Sequence, residues 1–122
     1  MGKFVVSEAG TGYKFVLKAN NGQVIVSSGI YASENSCLGG VESVRRNSLT
    51  GKLDDSTDES RPGLTNPKFQ IYLDPAGAYR FRLIARNGEI IALSAGYASK
   101  SACVKGVANI QKNALEAQVV RI

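Results

Sequence analysis

The residues that could do chemistry are few, and the first group is basic and aromatic: Lys14, Lys18, Tyr72, Arg80 and Arg82. They lie in segments where apolar and polar residues alternate, as they do in a half-buried β-strand. Because side chains two or four positions apart in a strand share one face, we expect these residues on one surface. Basic side chains beside an aromatic ring on an open sheet can hold phosphates and stack bases. The alternative is the ordinary polar outer face of an antiparallel sheet.

A tyrosine and a serine recur together at two places, as Tyr31 with Ser33 and as Tyr97 with Ser99. Each pair lies just before a predicted helix. Because the free N–H groups at a helix N-terminus attract anions, a tyrosine hydroxyl beside them could help to hold one. In the alternative interpretation, the serine caps the helix and the tyrosine packs over the first turn.

The remaining candidates are two cysteines, Cys37 and Cys103, at equivalent positions on the apolar stripes of the predicted helices. A buried free cysteine behaves as a small hydrophobic residue, although internal symmetry could bring the two together as a redox pair. Neither belongs to a Cys-x-x-Cys pair, which fits a reducing compartment. We expect a cytoplasmic location.

Most catalytic chemistries are disfavoured. The chain has no histidine, which is the commonest general base at neutral pH and the commonest metal ligand. Gly51-Lys52 lacks the spacing of a phosphate loop, and Gly10-Thr11-Gly12 precedes a strand instead of the helix of a dinucleotide fingerprint. Carboxylates concentrate in residues 54–66, where we expect no pocket to shift their pKa. We predict no catalytic, cofactor-binding or metal-binding residues, and hence no enzyme.

The elements that position these residues form an internal repeat. Residues 13–49 and 79–115 align without gaps, and 16 of 37 positions are identical, which random similarity does not give over such a length. A chain of 122 residues suits one domain of ordinary size. We predict a single domain over residues 1–122, with repeat one at 1–53, an acidic linker at 54–66 and repeat two at 67–122.

Each repeat is predicted to form three strands and then a helix. Asn21-Gly22 and Asn87-Gly88 are strong hairpin signals, since both residue types tolerate positive φ. Ser33 and Ser99 would begin the helices, and Asn47 and Asn113 would end them as left-handed C-caps. The predicted strands are Lys3–Ser7, Tyr13–Leu17, Val24–Ser27, Lys68–Leu73, Tyr79–Leu83 and Glu89–Leu93.

One face of the predicted sheet should meet the helices, and it carries Tyr13, Phe15, Leu17, Tyr79, Phe81 and Leu83. Gly40 and Gly106 occupy matching positions in the middle of the two helices. Each costs about 1 kcal/mol relative to alanine, which indicates close packing on the sheet or a kink.

The two repeats differ after the helix. Ala117–Ile122 is predicted to form a last strand, whereas Gly51–Ser56 is polar apart from Leu53, so this strand should be weak or absent in repeat one. The chain then enters a solvated linker that includes Asp58-Glu59-Ser60-Arg61-Pro62-Gly63.

The net charge of +5 is uneven: +3 in repeat one, −3 in the linker and +5 in repeat two. A basic surface attracts polyanions, although a modest excess is common in proteins that bind none. No apolar run approaches the roughly 18 residues of a membrane span, so we expect no membrane partner.

Several segments resemble the YegP-like family of small bacterial proteins: Tyr79-Arg80-Phe81-Arg82-Leu83, Asn87-Gly88-Glu89-Ile90-Ile91 and Gly96-Tyr97-Ala98-Ser99-Lys100, with Cys103, Gly106 and Asn113-Ala114. The resemblance covers both halves, the second more closely. It implies an α+β fold in which two tandem β3-α-β repeats share one antiparallel sheet, with the helices on one face. A pseudo-twofold axis would relate the repeats, which would exchange their C-terminal strands. The family has no established activity, so the resemblance implies no catalytic residues.

We therefore expect a small non-enzymatic binding or accessory protein whose partner is unknown. Weak binding to nucleic acid or another polyanion is the most concrete option. The alternative is a structural protein–protein interaction module that pairs through its sheet edges. We expect no metal and a monomer that is an internal pseudo-dimer.

Overall fold

The computed structural model describes residues 2–60 and 63–122. They form two β-β-β-α-β units in tandem, as the family resemblance implies. The first unit comprises β1 (Lys3–Ala9), β2 (Gly12–Lys18), β3 (Val24–Ser27), α1 (Glu34–Thr50) and β4 (Lys52–Asp55). The second comprises β5 (Lys68–Leu73), β6 (Tyr79–Ile84), β7 (Ile90–Ser94), α2 (Lys100–Asn113) and β8 (Gln118–Arg121).

All eight strands form one sheet in the order β4-β5-β6-β7-β3-β2-β1-β8. The repeats meet at its centre, where β3 pairs with β7 through Val26↔Ser94 and Ser27↔Leu93. At each edge, the last strand of one repeat pairs with the first strand of the other, β4 with β5 and β8 with β1. The α+β fold and the predicted exchange of C-terminal strands are therefore confirmed.

The sheet is mixed, not antiparallel throughout, because both edge pairs are parallel. Parallel neighbours cannot be joined by a hairpin and need a connection of about a dozen residues or more. The segment between β4 and β5 supplies such a connection. Arg61 and Pro62 of the predicted acidic linker lie outside the described residues.

The prediction that the last strand of repeat one is weak or absent is wrong, because Lys52–Asp55 forms β4. Ion pairs take the place of apolar burial in holding this polar strand. The carboxylate of Asp54 lies 2.8 Å from Lys68 Nζ, and that of Asp55 lies 2.9 Å from Lys100 Nζ. Both lysines belong to the other repeat, so hydrophobic periodicity within repeat one could not reveal the strand.

The same contact is made with reversed charge at the other edge of the sheet. Arg121, the last residue of β8, lies 3.2 Å from the carboxylate of Glu34, the first residue of α1. Under the repeat, Arg121 corresponds to Asp55 and Glu34 corresponds to Lys100. Each exchanged strand thus ends on an ion pair with the helix of the other repeat.

Both helices pack on one face of the sheet, and the core lies between them and it. The alternating residues predicted to meet the helices do so, and four phenylalanines form two edge-to-face pairs, Phe4–Phe15 and Phe69–Phe81, at 5.9 and 6.0 Å between ring centroids. The fully buried side chains include Phe4, Val6, Phe15, Leu17, Val26, Cys37, Val41, Val44, Phe69, Ile71, Phe81, Leu83, Cys103 and Ile110.

The mid-helix glycines permit a close approach of tyrosine to each helix. A Cβ built on Gly40 would overlap the Tyr31 hydroxyl and lie 2.6 Å from Tyr31 Cζ; on Gly106 it would overlap the hydroxyl of Tyr97. The Tyr31 ring stacks on Phe15 with centroids 6.1 Å apart. Of the two predicted reasons for these glycines, close packing is the one observed.

Both helices begin as predicted, and α2 ends at Asn113 as predicted, but α1 ends later, at Thr50. Ser33 and Ser99 accept the backbone N–H of Ser36 and Ala102, each at 3.1 Å. The predicted left-handed caps are wrong: α1 continues past Asn47, and no non-glycine residue among those described has positive φ. The Asn47 side chain instead bonds outside its repeat, because its Oδ1 accepts the backbone N–H of Arg86 at 3.2 Å.

The end of each helix is held by a side chain of the other. Arg45 of α1 donates to the carbonyls of Ala114 and Leu115 at 2.9 Å and to that of Ala117 at 2.6 Å. Gln111, its equivalent in α2, donates to the carbonyls of Ser48 and Gly51 at 3.4 Å. These bonds satisfy carbonyls that a helix end leaves without partners. Neither helix of the described ranges is long and apolar enough to cross a membrane.

Candidate functional site

The candidate site is the sheet face that bears no helix, called here the outer face. Its side chains alternate along each strand with those buried under the helices. Seven cations and one strand carboxylate point to it: Lys3, Lys14, Lys18, Lys52, Lys68, Arg80 and Arg82, with Asp54. The charge of the protein is thus segregated, since the strand carboxylates of Glu8 and Asp55 lie on the helix side.

The predicted surface residues share this face but form two separate groups. Lys14 and Lys18 lie on β2, while Arg80, Arg82 and Tyr72 lie on β6 and β5. Because β3 and β7 intervene and neighbouring strands are about 4.8 Å apart, the strands bearing the two groups are about 14 Å apart. That exceeds the roughly 8 Å screening length at physiological salt, so the two groups act largely as separate patches.

The arginines of repeat two already have partners. Arg80 Nε donates to the Asp74 carboxylate at 2.6 Å, and this bond is the main reason that the pKa of Asp74 lies below its ordinary value. The Arg82 guanidinium lies 4.2 Å from the Tyr72 ring centroid, and its Nε donates to Gln70 at 2.8 Å. Both guanidinium groups of the predicted group of Tyr72, Arg80 and Arg82 therefore already have partners within the protein.

The lysines of repeat one differ, because the ammonium groups of Lys3, Lys14 and Lys18 make no hydrogen bond or ion pair with the residues that the structure describes. Lys3 and Lys18 lie directly opposite each other on β1 and β2. Like charges in that position destabilise a sheet, so this arrangement carries a cost. Sequence reasoning missed Lys3, although alternation along the predicted strand Lys3–Ser7 was the signal that could have placed it on the face opposite Phe4.

The middle of the outer face is apolar and lacks aromatic rings. Val24, Ile90 and Leu93 are 42%, 52% and 40% exposed beside the seam between the repeats. Aliphatic side chains can contact sugars and bases but do not form the stacking platform that aromatic rings provide. The outer face can therefore attract anions and cover apolar groups.

The repeated Tyr–Ser junctions have the arrangement of the capping alternative. The hydroxyls of Ser33 and Ser99 are held in the helix caps. The hydroxyls of Tyr31 and Tyr97 lie against mid-helix glycines and not over the helix N-termini. Burial is the main reason that the pKa of both tyrosines is raised.

Asp54 and Asp55, which begin the predicted acidic linker of residues 54–66, belong to β4 instead, and both have ion-pair partners. Asp54 is buried at the edge of the sheet. Burial of Asp55 opposes ionisation, but hydrogen bonds from Thr57 and Lys100 outweigh it and hold the pKa of Asp55 below its ordinary value. In the two described ranges, no three His, Cys, Asp or Glu residues come close enough to hold a metal ion.

Residues 9–55 and 74–120 both match the family described as a domain of unknown function, DUF1508. The chain belongs to the DUF1508 family. The two matched ranges cover most of the two repeats.

Relatives of this DUF1508 chain are named as UPF0339 proteins. One from Methanosarcina acetivorans is 53% identical over 53 residues, which cover 43% of this chain and 91% of that protein. The UPF0339 protein YegP of Yersinia pestis is 36% identical over 117 residues, covering 94% and 90%. The solution structure of yegP from E. coli, described as of unknown function, has a TM-score of 0.77 and 30% identity over 98% of this chain and 91% of that one. The YegP-like resemblance is confirmed.

The two cysteines of the DUF1508 repeats are buried and free. Cys37 and Cys103 are fully buried and form no disulfide. Burial is the main cause that raises the pKa of both thiols, to about 11 for Cys103. A reactive cysteine needs a lowered pKa and access to solvent, so both thiols have the environment of core residues.

We expect both cysteines to react slowly with a thiol reagent such as DTNB in the native protein and rapidly in denaturant. The thiolate is the reacting species, and burial suppresses both its formation and its exposure. The rate of absorbance increase measures the reaction, and unfolded protein supplies the control. Fast native labelling of both residues, or a native disulfide, would contradict this prediction.

Proposed function

We propose that this protein is a non-enzymatic, cytoplasmic binding protein whose outer face binds single-stranded nucleic acid through the phosphates. The observation that supports this most is the segregation of charge, with seven cations and one strand carboxylate on the outer face. The turn residue Asp74 offsets one of those cations through its ion pair with Arg80. Seven cations less the carboxylates of Asp54 and Asp74 leave a net charge of +5 on this face, which equals the net charge of the whole chain.

Lys3, Lys14 and Lys18 would provide the principal contacts, because they have no partner to release within the described chain. Arg80 and Arg82 would first have to leave Asp74 and Tyr72. Contacts to phosphates carry no sequence information, so binding would be sequence-tolerant. The exposed Val24, which pairs with Lys18, and Leu93, which pairs with Arg82, would cover sugars and bases.

We expect Lys14→Ala/Lys18→Ala to weaken binding of a labelled single strand and to flatten its dependence on salt. Loss of two phosphate contacts should lower the slope of log K against log salt by about 1.4 for a single strand. Fluorescence anisotropy at low salt measures this. The matched control is Lys105→Ala/Lys112→Ala, which removes the same charge from exposed positions on α2.

An equal effect of the two double variants would show a response to net charge alone and would contradict the assignment to the outer face. The absence of binding at tens of micromolar wild-type protein would exclude nucleic acid as the ligand. Arg80→Ala/Arg82→Ala should have a smaller effect than the lysine pair, because those arginines have partners in the free protein.

A second candidate is protein contact through a sheet edge, favoured by β8. This edge strand exposes Val119, and Ile122 just beyond it is 71% exposed. Edge strands present unpaired backbone groups to which an extended peptide can add. This function becomes the better proposal if the anisotropy experiment shows no nucleic-acid binding.

A further inference from the structure

Two clefts are related by the internal repeat, and each lies between the hairpin turn of one repeat and the helix of the other. The first, of about 500 Å³, is lined by Asn20, Asn21, Asn109, Lys112, Asn113 and Glu116. The second, of about 350 Å³, is lined by Ser43, Arg46, Asn47, Thr50, Arg86 and Asn87. We call the first the lysine–glutamate cleft and the second the arginine cleft.

The two clefts use equivalent positions but differ in charge. Arg46 and Arg86 of the arginine cleft correspond to Lys112 and Asn20, and Thr50 corresponds to Glu116. The lysine–glutamate cleft therefore has one charge of each sign in its lining. The arginine cleft has two positive charges and no carboxylate.

The two arginines of this cleft differ from the other described arginines in that their side chains have no partner. Four of the six arginines in the described ranges have partners: Arg45, Arg80, Arg82 and Arg121. The guanidinium groups of Arg46 and Arg86 make no hydrogen bond, ion pair or ring contact with any described residue. Both of the arginines without a partner thus line the same cleft.

The two walls of the arginine cleft are fixed to each other. Asn47, next to Arg46 on α1, accepts the backbone N–H of Arg86 at 3.2 Å. The same side chain donates to the Ser43 carbonyl at 2.8 Å. Ser43, Arg46, Asn47 and Thr50 are spaced so that they share one face of the helix. The site is therefore held in place before any ligand arrives.

The end of α1 opposes anion binding, because the carbonyl end of a helix carries roughly half a negative charge. Gln111 reduces this effect by donating to the carbonyls of Ser48 and Gly51. The two guanidinium charges exceed the remaining partial negative charge at the end of α1, so the net charge of the cleft is positive. It also offers the hydroxyls of Ser43 and Thr50 and the amide of Asn87 as neutral hydrogen-bonding groups.

We propose that the arginine cleft binds the phosphate oxyanion of a small phosphorylated ligand. The planar guanidinium group matches a phosphate with two parallel hydrogen bonds. A cleft of about 350 Å³ lies within the range of small-molecule sites. This site lies on the helix side of the sheet and is independent of the outer face.

The test is a titration of the full-length, ¹⁵N-labelled protein with inorganic phosphate, adenosine monophosphate and a short single strand, followed by amide chemical shifts. Phosphate should shift the amides of Thr50, Arg86 and Asn87 and leave those of Asn20, Asn21 and Glu116 unchanged. A nucleoside monophosphate that binds more tightly than phosphate identifies a small ligand. A single strand that perturbs the same amides more than either identifies a nucleic-acid backbone as the source of the phosphate.

Arg46→Ala/Arg86→Ala should weaken phosphate binding at least about tenfold. Lys112→Ala, in the lysine–glutamate cleft, should not change it. Arg46→Lys/Arg86→Lys keeps the charge but loses the planar fork, so it should restore only part of the affinity. Equal shifts in both clefts, no shifts at millimolar phosphate, or full binding by the alanine double variant would overturn the proposal.

Discussion

Gly40→Ala is expected to destabilise the protein by about 2–3 kcal/mol, the upper part of the range of about 1–3 kcal/mol that is typical when a packed site is overfilled. The new methyl group would overlap the Tyr31 hydroxyl and lie 3.1 Å from the Phe15 ring. Both rings are part of the packed layer under α1, so neither can move without disturbing the core. Gly106→Ala should act in the same way through Tyr97 and Phe81.

The neighbouring Gly39 provides a matched control. It lies in the same helix, and a Cβ built there meets nothing within 4 Å. Gly39→Ala should therefore stabilise the protein by about 0.5–1 kcal/mol, through the lower backbone entropy of alanine in the unfolded chain. Urea unfolding of the variants measures both free energies. Similar effects at the two positions would show that Tyr31 does not pack closely against α1.

Arg45→Ala is expected to lower the free energy of unfolding by about 2–4 kcal/mol, since hydrogen bonds from charged groups contribute about 1.5–3 kcal/mol each and are not additive. Arg45 donates to three carbonyls beyond the end of α2, and its guanidinium lies 5.1 Å from the Phe4 ring centroid. Its removal leaves these carbonyls without their donor and loosens the contact between the repeats.

Arg45→Met separates the two contributions, because it retains an apolar stem over Phe4 and removes the donors. Arg45→Met should lower the free energy of unfolding by most of the amount that Arg45→Ala does. Gln111→Ala, at the equivalent position, should cost less than about 1 kcal/mol, because both of its hydrogen bonds are long at 3.4 Å. If the alanine variants at 45 and 111 are equally stable, the proposed role of Arg45 at the end of α2 is wrong.

The sequence was sufficient for those parts of the fold that depend on local pattern. Alternation of apolar residues in Tyr13–Leu17 and Tyr79–Leu83 correctly assigned the buried face, and Asn-Gly pairs located the hairpins. The strand β4 was not predicted, because Lys68 and Lys100, which form ion pairs with its carboxylates, come from the other repeat. A pattern confined to one segment cannot report such contacts.

The same limit applies to the candidate sites. Alternation of apolar and polar residues correctly placed the predicted basic residues on one face. It could not show that Arg80 pairs with Asp74 or that Arg82 stacks on Tyr72. The arginine cleft was not predicted at all. Its two walls come from different repeats, and nothing in the spacing of Arg46 and Arg86 indicates that they meet.

The charge reversal at the two sheet edges makes the halves of this chain non-interchangeable. A twofold dimer of identical subunits must use the same residues on both sides of its axis. Two copies of repeat one would set Asp55 against Glu34, and two copies of repeat two would set Arg121 against Lys100. Only a mixed pair joins opposite charges, as observed at both edges. Duplication within one polypeptide has therefore produced a covalently tethered heterodimer, in which each half is free to diverge as long as the other complements it.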